Sequence, residues 1–282
     1  MAQSRQAIQS RIRSVESTRK ITRVMQLIAS TELTKQRRRM EENREYANGL
    51  EDLLAFAVRS SADDSIYLKE NKNKPNLVIV FTSDMGLCGA YNANILRMVQ
   101  AHAKDELVMI GANGCTWARS NHTMLYKSVE NLNMDNAYEI VSKLLNDALK
   151  RFEAGEIGKI QVLYTHFKNV LTYVPTLETI LPVQKQKIKI EVEEGAKQMT
   201  DFEPDQEEML AQIIPMAVKS AVYARFLESK TSEQASRRMA MEAATDNADE
   251  LHDELMLAYN QARQAAITNE IIDIVGGANA LS

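Results

Sequence analysis

Few residues in this chain have types and spacings that could do chemistry. The run Thr82-Ser-Asp-Met-Gly-Leu-Cys-Gly89 follows a strongly apolar stretch and precedes a helical one. A glycine-rich turn placed there can hold a phosphate on the free N–H groups of a helix start. It is neither G-x-G-x-x-G nor a Walker A loop, since it has no Gly-Lys-Ser/Thr. The expectation is a tight strand-to-helix turn that needs glycine geometry, with nucleotide binding as the competing reading. Asp84 could serve as an acid or a metal ligand. No second carboxylate stands at a useful spacing from it, which points to a capping or turn role. The four histidines, His102, His122, His166 and His252, include no pair three or four apart, so no helical metal pair forms. His252 is expected to be an exposed polar position. Cys88 and Cys115 have no C-x-x-C spacing, which argues against a disulfide scaffold or a zinc site and fits a reducing compartment. Cys88 has no evident base beside it and is expected to be a small buried side chain. No triad, paired-carboxylate site or metal site assembles. The chain is therefore not expected to be an enzyme by itself, nor to carry a cofactor.

The elements that position these residues are dominated by two helices at the chain ends. From about Asp205 to Val275 there is no proline after Pro215 and no glycine before Gly276. These are the two residue types that most disrupt a helix. Met241, Ala244, Ala248, Leu251, Leu255, Ala258, Ala262 and Ala265 step alternately by three and four, the spacing of a coiled-coil seam. At about 1.5 Å per residue such a helix is a rod on the order of 100 Å long. Residues Ser4 to about Arg59 also read as one helix, with Ile8, Ile12, Val15, Ile21, Met25, Ile28, Leu33 and Met40 near one stripe. Thr18 and Thr22 lie close to that stripe and weaken it. Between Arg5 and Arg44 the chain is strongly basic, whereas Glu242, Asp246, Asp249, Glu250, Asp253 and Glu254 make part of the C-terminal helix acidic. Antiparallel pairing of the two helices follows from this pattern, with charge guiding partner choice more than stability. The basic run lacks interleaved aromatics, which favours a solvated or protein-facing surface over a nucleic-acid site. No apolar run is long enough to cross a bilayer, and the N-terminus has no apolar signal core. The expectation is a soluble or peripherally attached protein.

Between the helices the pattern changes. A polar linker spans residues 60–75, and Asn76-Leu-Val-Ile-Val-Phe-Thr-Ser83 then reads as a strand buried on both faces. A helix from Tyr91 to about Ala103, a strand from Leu107, a helix from about Asn136 to Ala154 and a strand from Lys159 to His166 follow. Tyr173–Val183 and Ile188–Val192 alternate like edge strands. Strand and helix in alternation make a small parallel α/β sheet. The fold class is thus α/β plus a long α-helical coiled coil, an antiparallel two-helix coiled coil with an inserted Rossmann-like α/β domain. The domains are 1–60 (N-terminal coiled-coil helix), 75–200 (α/β) and 205–282 (C-terminal coiled-coil helix). Asp205 is the expected N-cap of the last helix.

Four blocks carry a family resemblance: Ile12-Arg-Ser-Val-Glu-Ser-Thr-Arg-Lys-Ile-Thr-Arg-Val-Met25, Ser83-Asp-Met-Gly-Leu-Cys-Gly-Ala-Tyr-Asn92, Ala240-Met-Glu-Ala-Ala-Thr-Asp-Asn-Ala248 and Ile267-Thr-Asn-Glu-Ile-Ile-Asp-Ile-Val-Gly-Gly-Ala-Asn-Ala280. Together they resemble the gamma subunits of bacterial-type F-type ATP synthases over nearly the whole chain. Met85 departs from the pattern, where arginine is common. The resemblance implies a central rotor shaft that couples proton-driven rotation of a membrane c-ring to the conformational cycle of the catalytic beta subunits. It implies a non-catalytic subunit, one copy per complex, peripheral to the cytoplasmic face of the bacterial cell membrane. The implied partners are the alpha and beta subunits, epsilon and the c-ring, with no nucleic acid. By residue-to-residue match, Met25, Arg237, Arg263, Gln264, Thr268 and Glu270 meet the surrounding alpha/beta ring, and Phe202 and Glu203 form the foot toward the c-ring. A coiled-coil tether that binds without turning is the main competitor, and a nucleotide-binding enzyme using the turn at Gly86–Gly89 is the second.

Overall fold

The computed structural model describes residues 5–60, 66–102, 104–123, 125–132, 134–183 and 206–280. The expected edge strand at Ile188–Val192, the N-cap at Asp205 and the foot residues Phe202 and Glu203 lie outside the described residues. The chain divides into two compact units, Thr31–Ser236 and Met1–Ser30 with Arg237–Ser282. Helix α1 (Arg5–Ser60) and helix α5 (Gln206–Ala280) each run through both.

The unit Thr31–Ser236 is built on five strands, β1 (Leu77–Phe81), β2 (Glu106–Ile110), β3 (Leu125–Val129), β4 (Ile160–Phe167) and β5 (Tyr173–Leu181). Their order is β3-β2-β1-β4-β5. The first four strands are mutually parallel, and β5 returns antiparallel along β4 as an edge. All five residues of β1 are buried, as the unbroken β-branched run predicts for a central strand. Strand alternation divides the core in two. Leu77, Ile79, Phe81, Val108, Ile110 and Val162 point to one face and pack with α4 (Ala137–Glu153) and with Val218, Val222 and Phe226 of α5. Val78, Val80, Leu107, Met109 and Leu163 point to the other, against α2 (Tyr91–Val99) and α3 (Ala112–Ser120).

Two elements depart from the sequence expectation. Helix α3 is not expected from the sequence, and Gly111 and Gly114 stand at its start. Gly111 has φ 110°, and a Cβ there would lie 2.3 Å from the Thr82 carbonyl oxygen. A Cβ on Gly114 would meet Thr82 Oγ1 at 2.6 Å. Both glycines exist for close approach to the end of β1 rather than to break a helix. Strand β3 was hidden because its three central residues, Tyr126, Lys127 and Ser128, are exposed and carry no apolar alternation. At the far end, α5 runs through Gly276 to Ala280, within the expected 205–282.

In the other unit the start of α1 and the end of α5 form an antiparallel pair. Glu16 meets His252, Arg19 meets Asp249 and Thr22 meets Thr245, so a step forward on α1 is a step backward on α5. Ile8, Ile12 and Leu255 form the apolar centre, with Val15, Ala258, Tyr259 and Ala262 against it. The α5 seam is Met241, Thr245, Ala248, His252, Leu255, Tyr259, Ala262 and Ala266, the positions withdrawn from solvent in a four-three alternation. Met241, Ala248, Leu255 and Ala262 match the expectation. Ala258 packs against the apolar centre beside them and Ala244 is half-buried, whereas Leu251 and Ala265 are exposed. His252 is likewise not an exposed position but an interhelical one, with Nε2 3.4 Å from Glu16 Oε1. The physical reason is that small alanines are common on several sides of α5. Apolarity alone does not select a face there, and the polar partners on α1 do.

Candidate functional site

The turn after β1 is stitched to its own chain. The Ser83 N–H donates to Asn92 Oδ1 at 3.0 Å, Asn92 Nδ2 donates to Ser83 Oγ at 2.7 Å, and Ser83 Oγ lies 2.7 Å from the Met85 carbonyl. Asp84 Oδ1 accepts the N–H groups of Ala112 (3.0 Å) and Asn131 (2.9 Å), the turn and helix-start role expected of it. Leu87 and Gly89 take left-handed φ values of 60° and 56°, while Gly86 does not. Cys88 is buried. In open α/β sheets, ligands occupy the crevice at the carboxyl ends of the strands where strand order reverses. Here that crevice lies between β1 and β4, and the chain's own α5 fills it. Phe226 packs on Phe81 with ring centroids 5.5 Å apart, and Ser229 and Ser232 reach the backbone of Thr165. Among the described residues no group of three or more His, Cys, Asp or Glu is placed to hold a metal ion.

An outward apolar surface lies on the helix pair. Along α1 the buried or half-buried positions run Ile8, Ile12, Val15, Arg19, Thr22, Gln26 and Ala29, a four-three heptad stripe. Its first half is apolar. Its second half places Arg19, Thr22 and Gln26 toward α5. Thr22 Oγ1 lies 2.8 Å from Thr245 Oγ1, and Arg19 Nη1 lies 3.1 Å from Asp249 Oδ1. The apolar residues of the same turns face outward instead. Ile21 is 61% exposed, Val24 55%, Leu27 63% and Ile28 52%. Polar inside and apolar outside is the reverse of a helix pair folded for water alone. The sequence stripe that included Ile21 and Ile28 in the seam is therefore corrected: both lie off it. Met25 is half-buried at the margin of this outward face.

The end of α5 is exposed on nearly every side. The antiparallel register brings Arg5 level with about Ala262, so beyond that point no described residue of α1 stands opposite. Arg263, Gln264, Thr268 and Glu270 are exposed, and the Thr268 hydroxyl returns to the Gln264 carbonyl at 2.9 Å. Ile267, Ile271, Ile272, Ile274 and Val275 are exposed around them. Arg237 differs from these four, being buried. The structure thus gathers Arg263, Gln264, Thr268 and Glu270 on one stretch of helix and sets Met25 and Arg237 apart from it. Sequence reading missed the outward face Ile21-Val24-Leu27-Ile28. Its signal was present as apolar residues that drift off a 3.5-residue repeat.

A family model described as ATP synthase matches residues 4–281. The ATP synthase gamma chain of Mycoplasma mobile is 36% identical over 281 residues, covering 96% of this chain and 97% of that one. The ATP synthase gamma chain of Clostridium acetobutylicum is 37% identical over 281 residues, covering 97% of each. A chain of the Euglena gracilis mitochondrial ATP synthase, solved as OSCP/F1/c-ring, shares the fold at a TM-score of 0.68 with 15% identity, over 98% of this chain and 94% of that one. The chain belongs to the ATP synthase gamma chain family.

Proposed function

We propose that this chain is the central rotor shaft of an F1Fo ATP synthase. It couples rotation of the membrane c-ring to the conformational cycle of the catalytic beta subunits, and runs in reverse during ATP hydrolysis. The helix pair stands as a single copy inside the ring of alpha and beta subunits. The α/β domain, 75–200, is the part that faces epsilon and the c-ring, with Phe202 and Glu203 as its foot. In this reading the paired helices, 1–60 and 205–282, carry torque, and the chain supplies no catalytic residue. It is held peripherally at the cytoplasmic face of the bacterial membrane through the complex, and no helix among the described residues is long and apolar enough to cross a membrane.

The observation that carries the reading is the inverted sidedness of α1, with Arg19, Thr22 and Gln26 inward and Ile21, Val24, Leu27 and Ile28 outward. Apolar side chains displayed along a narrow stem are suited to a protein sleeve that encloses it. Basic Arg11, Arg13, Lys20 and Arg23 are exposed on the same stem, which suits a sleeve with acidic margins. Met25, Arg237, Arg263, Gln264, Thr268 and Glu270 are the proposed contacts with it. Charged contacts enclosed by a sleeve are worth a few kcal/mol, and rim contacts much less.

The test is ATP hydrolysis by purified alpha and beta subunits with and without this chain, repeated with the chain cut before Arg263. Strong ATPase appearing only with the chain, in a complex holding one copy, is expected. Association without a change in turnover would instead identify a tether. The pair Arg263→Ala and Gln264→Ala is expected to weaken ATP synthesis while the chain still folds. Unchanged synthesis would remove these two residues from the coupling surface.

A further inference from the structure

The ligand crevice of the α/β sheet is closed by a ladder of hydroxyl groups from α5. Strand β4 runs past the end of its ladder with β1, whose last partner pair is Val80 with Leu163. Two residues further on, the Thr165 N–H donates to Ser229 Oγ at 3.4 Å, and the Thr165 carbonyl accepts from Ser232 Oγ at 3.0 Å. Ser229 Oγ is also 2.8 Å from Tyr91 Oη at the start of α2. One turn along α5, Ser236 Oγ donates to the Cys88 carbonyl at 2.6 Å and accepts from Tyr173 Oη at 3.1 Å. These serines are buried. They replace the hydrogen bonds a neighbouring strand or a bound ligand would otherwise supply at this end of the sheet. Three serines at intervals of three and four put all the hydroxyls on one face of the helix.

A helix buried against a sheet is ordinarily held by apolar packing, which is non-directional and tolerates sliding and rotation. Hydrogen bonds to fixed backbone groups tolerate neither. We propose that Ser229, Ser232 and Ser236 are positioning residues for energy coupling, forming a joint that fixes the angle between the α/β sheet and α5 so that torque received by the sheet passes into the helix. The joint rests on the rotor reading above. Its role is directional stiffness, because nearby apolar contacts such as Phe81 with Phe226 already supply adhesion.

The test uses the whole ATP synthase in inverted membrane vesicles carrying the triple variant Ser229→Ala, Ser232→Ala, Ser236→Ala. The single Ser232→Ala and the hydroxyl-retaining Ser232→Thr accompany it. Two quantities are read, the ratio of proton-driven ATP synthesis to ATP hydrolysis and amide hydrogen exchange in peptides containing Thr165. In the triple variant the ratio is expected to fall at least fivefold, with hydrolysis within twofold of the unaltered enzyme and Thr165 exchange accelerated at least tenfold. Ser232→Ala falls between, and Ser232→Thr restores the ratio. If the triple variant does not assemble, the two single variants decide by the same ratio. An unchanged ratio with faster exchange would overturn the joint, and so would equal loss of synthesis and hydrolysis. Failure of the unaltered chain to support any proton-driven synthesis would instead overturn the rotor reading, so the two failures are distinct.

Discussion

Replacing Ile21, Val24 and Ile28 together by glutamine separates folding from docking. These side chains are 61%, 55% and 52% exposed, so about half of each is still available to a partner. Fully burying such a side chain is worth about 1.5–3 kcal/mol, so covering the remaining half is worth about 1 kcal/mol each. The three together give about 3 kcal/mol, or roughly a 150-fold change in affinity. The fixed costs of association are the same for both forms and cancel in the comparison. Within the chain the loss is small, because exposed positions change stability by about 0.5 kcal/mol or less and glutamine is at least as good a helix former as isoleucine. The assay is the concentration of chain that half-activates ATP hydrolysis by a fixed amount of alpha and beta subunits, read beside thermal unfolding of the chain by circular dichroism. The expected result is a rise of about two decades in that concentration with an unchanged melting temperature. An unchanged concentration would refute the docking face. Loss of about 3 kcal/mol of chain stability would refute the premise, since it would mean the face is packed inside the protein.

Three further outcomes are expected. Gly111→Ala forces a Cβ to 2.3 Å from the Thr82 carbonyl at φ 110° and should cost about 2 kcal/mol or more, lowering Tm by about 4–8 °C, whereas Gly49→Ala on open helix surface should cost nothing. The buried Thr22–Thr245 pair shares two hydroxyl protons among contacts that include the carbonyls of Arg19 and Met241. A double-mutant cycle to valine should therefore give single losses of about 1 kcal/mol and a double variant less destabilised than their sum. Burial raises the pKa of the Tyr164 hydroxyl, and burial followed by its bond to Glu153 raises that of Tyr67. Below pH about 10 both folded and unfolded chains hold these protons and their stability is fully present. Above it the unfolded chain releases them first, and stability falls as pH rises. Urea midpoints between pH 9 and 11 should fall more steeply for the natural chain than for Tyr164→Phe, and equal slopes would contradict the assignment.

Where the sequence was legible, it was because one physical signal dominated. Leu77–Phe81 is apolar at every position because both faces of β1 are covered, and that pattern needs no partner to be read. The two long helices were legible from the absence of breakers, and Asp84 from its lack of a second carboxylate. The remainder depended on what lies across a contact. Nothing in the sequence around Gly111 and Gly114 shows that Thr82 stands against them. Strand β3 was invisible because the Lys127–Asp147 ion pair and the Tyr126 hydroxyl bond to Asp147 make its exposed middle polar. On α1 and α5 part of the seam was misassigned for a related reason. A stem that shows apolar side chains to the outside and joins Thr22 to Thr245 within breaks the rule that apolar residues mark the inside. Local rules fail where function requires them to.

The most direct measurement is rotation. Alpha and beta subunits are tethered to a surface, this chain is bound between them, and a bead is fixed to it through a tag inserted in the surface turn Asn169–Thr172. A rotor shaft turns the bead in one direction when ATP is added, and the motion stops when ATP is exhausted. A bead that stays bound and motionless while the same molecules hydrolyse ATP would contradict the rotor function at its centre.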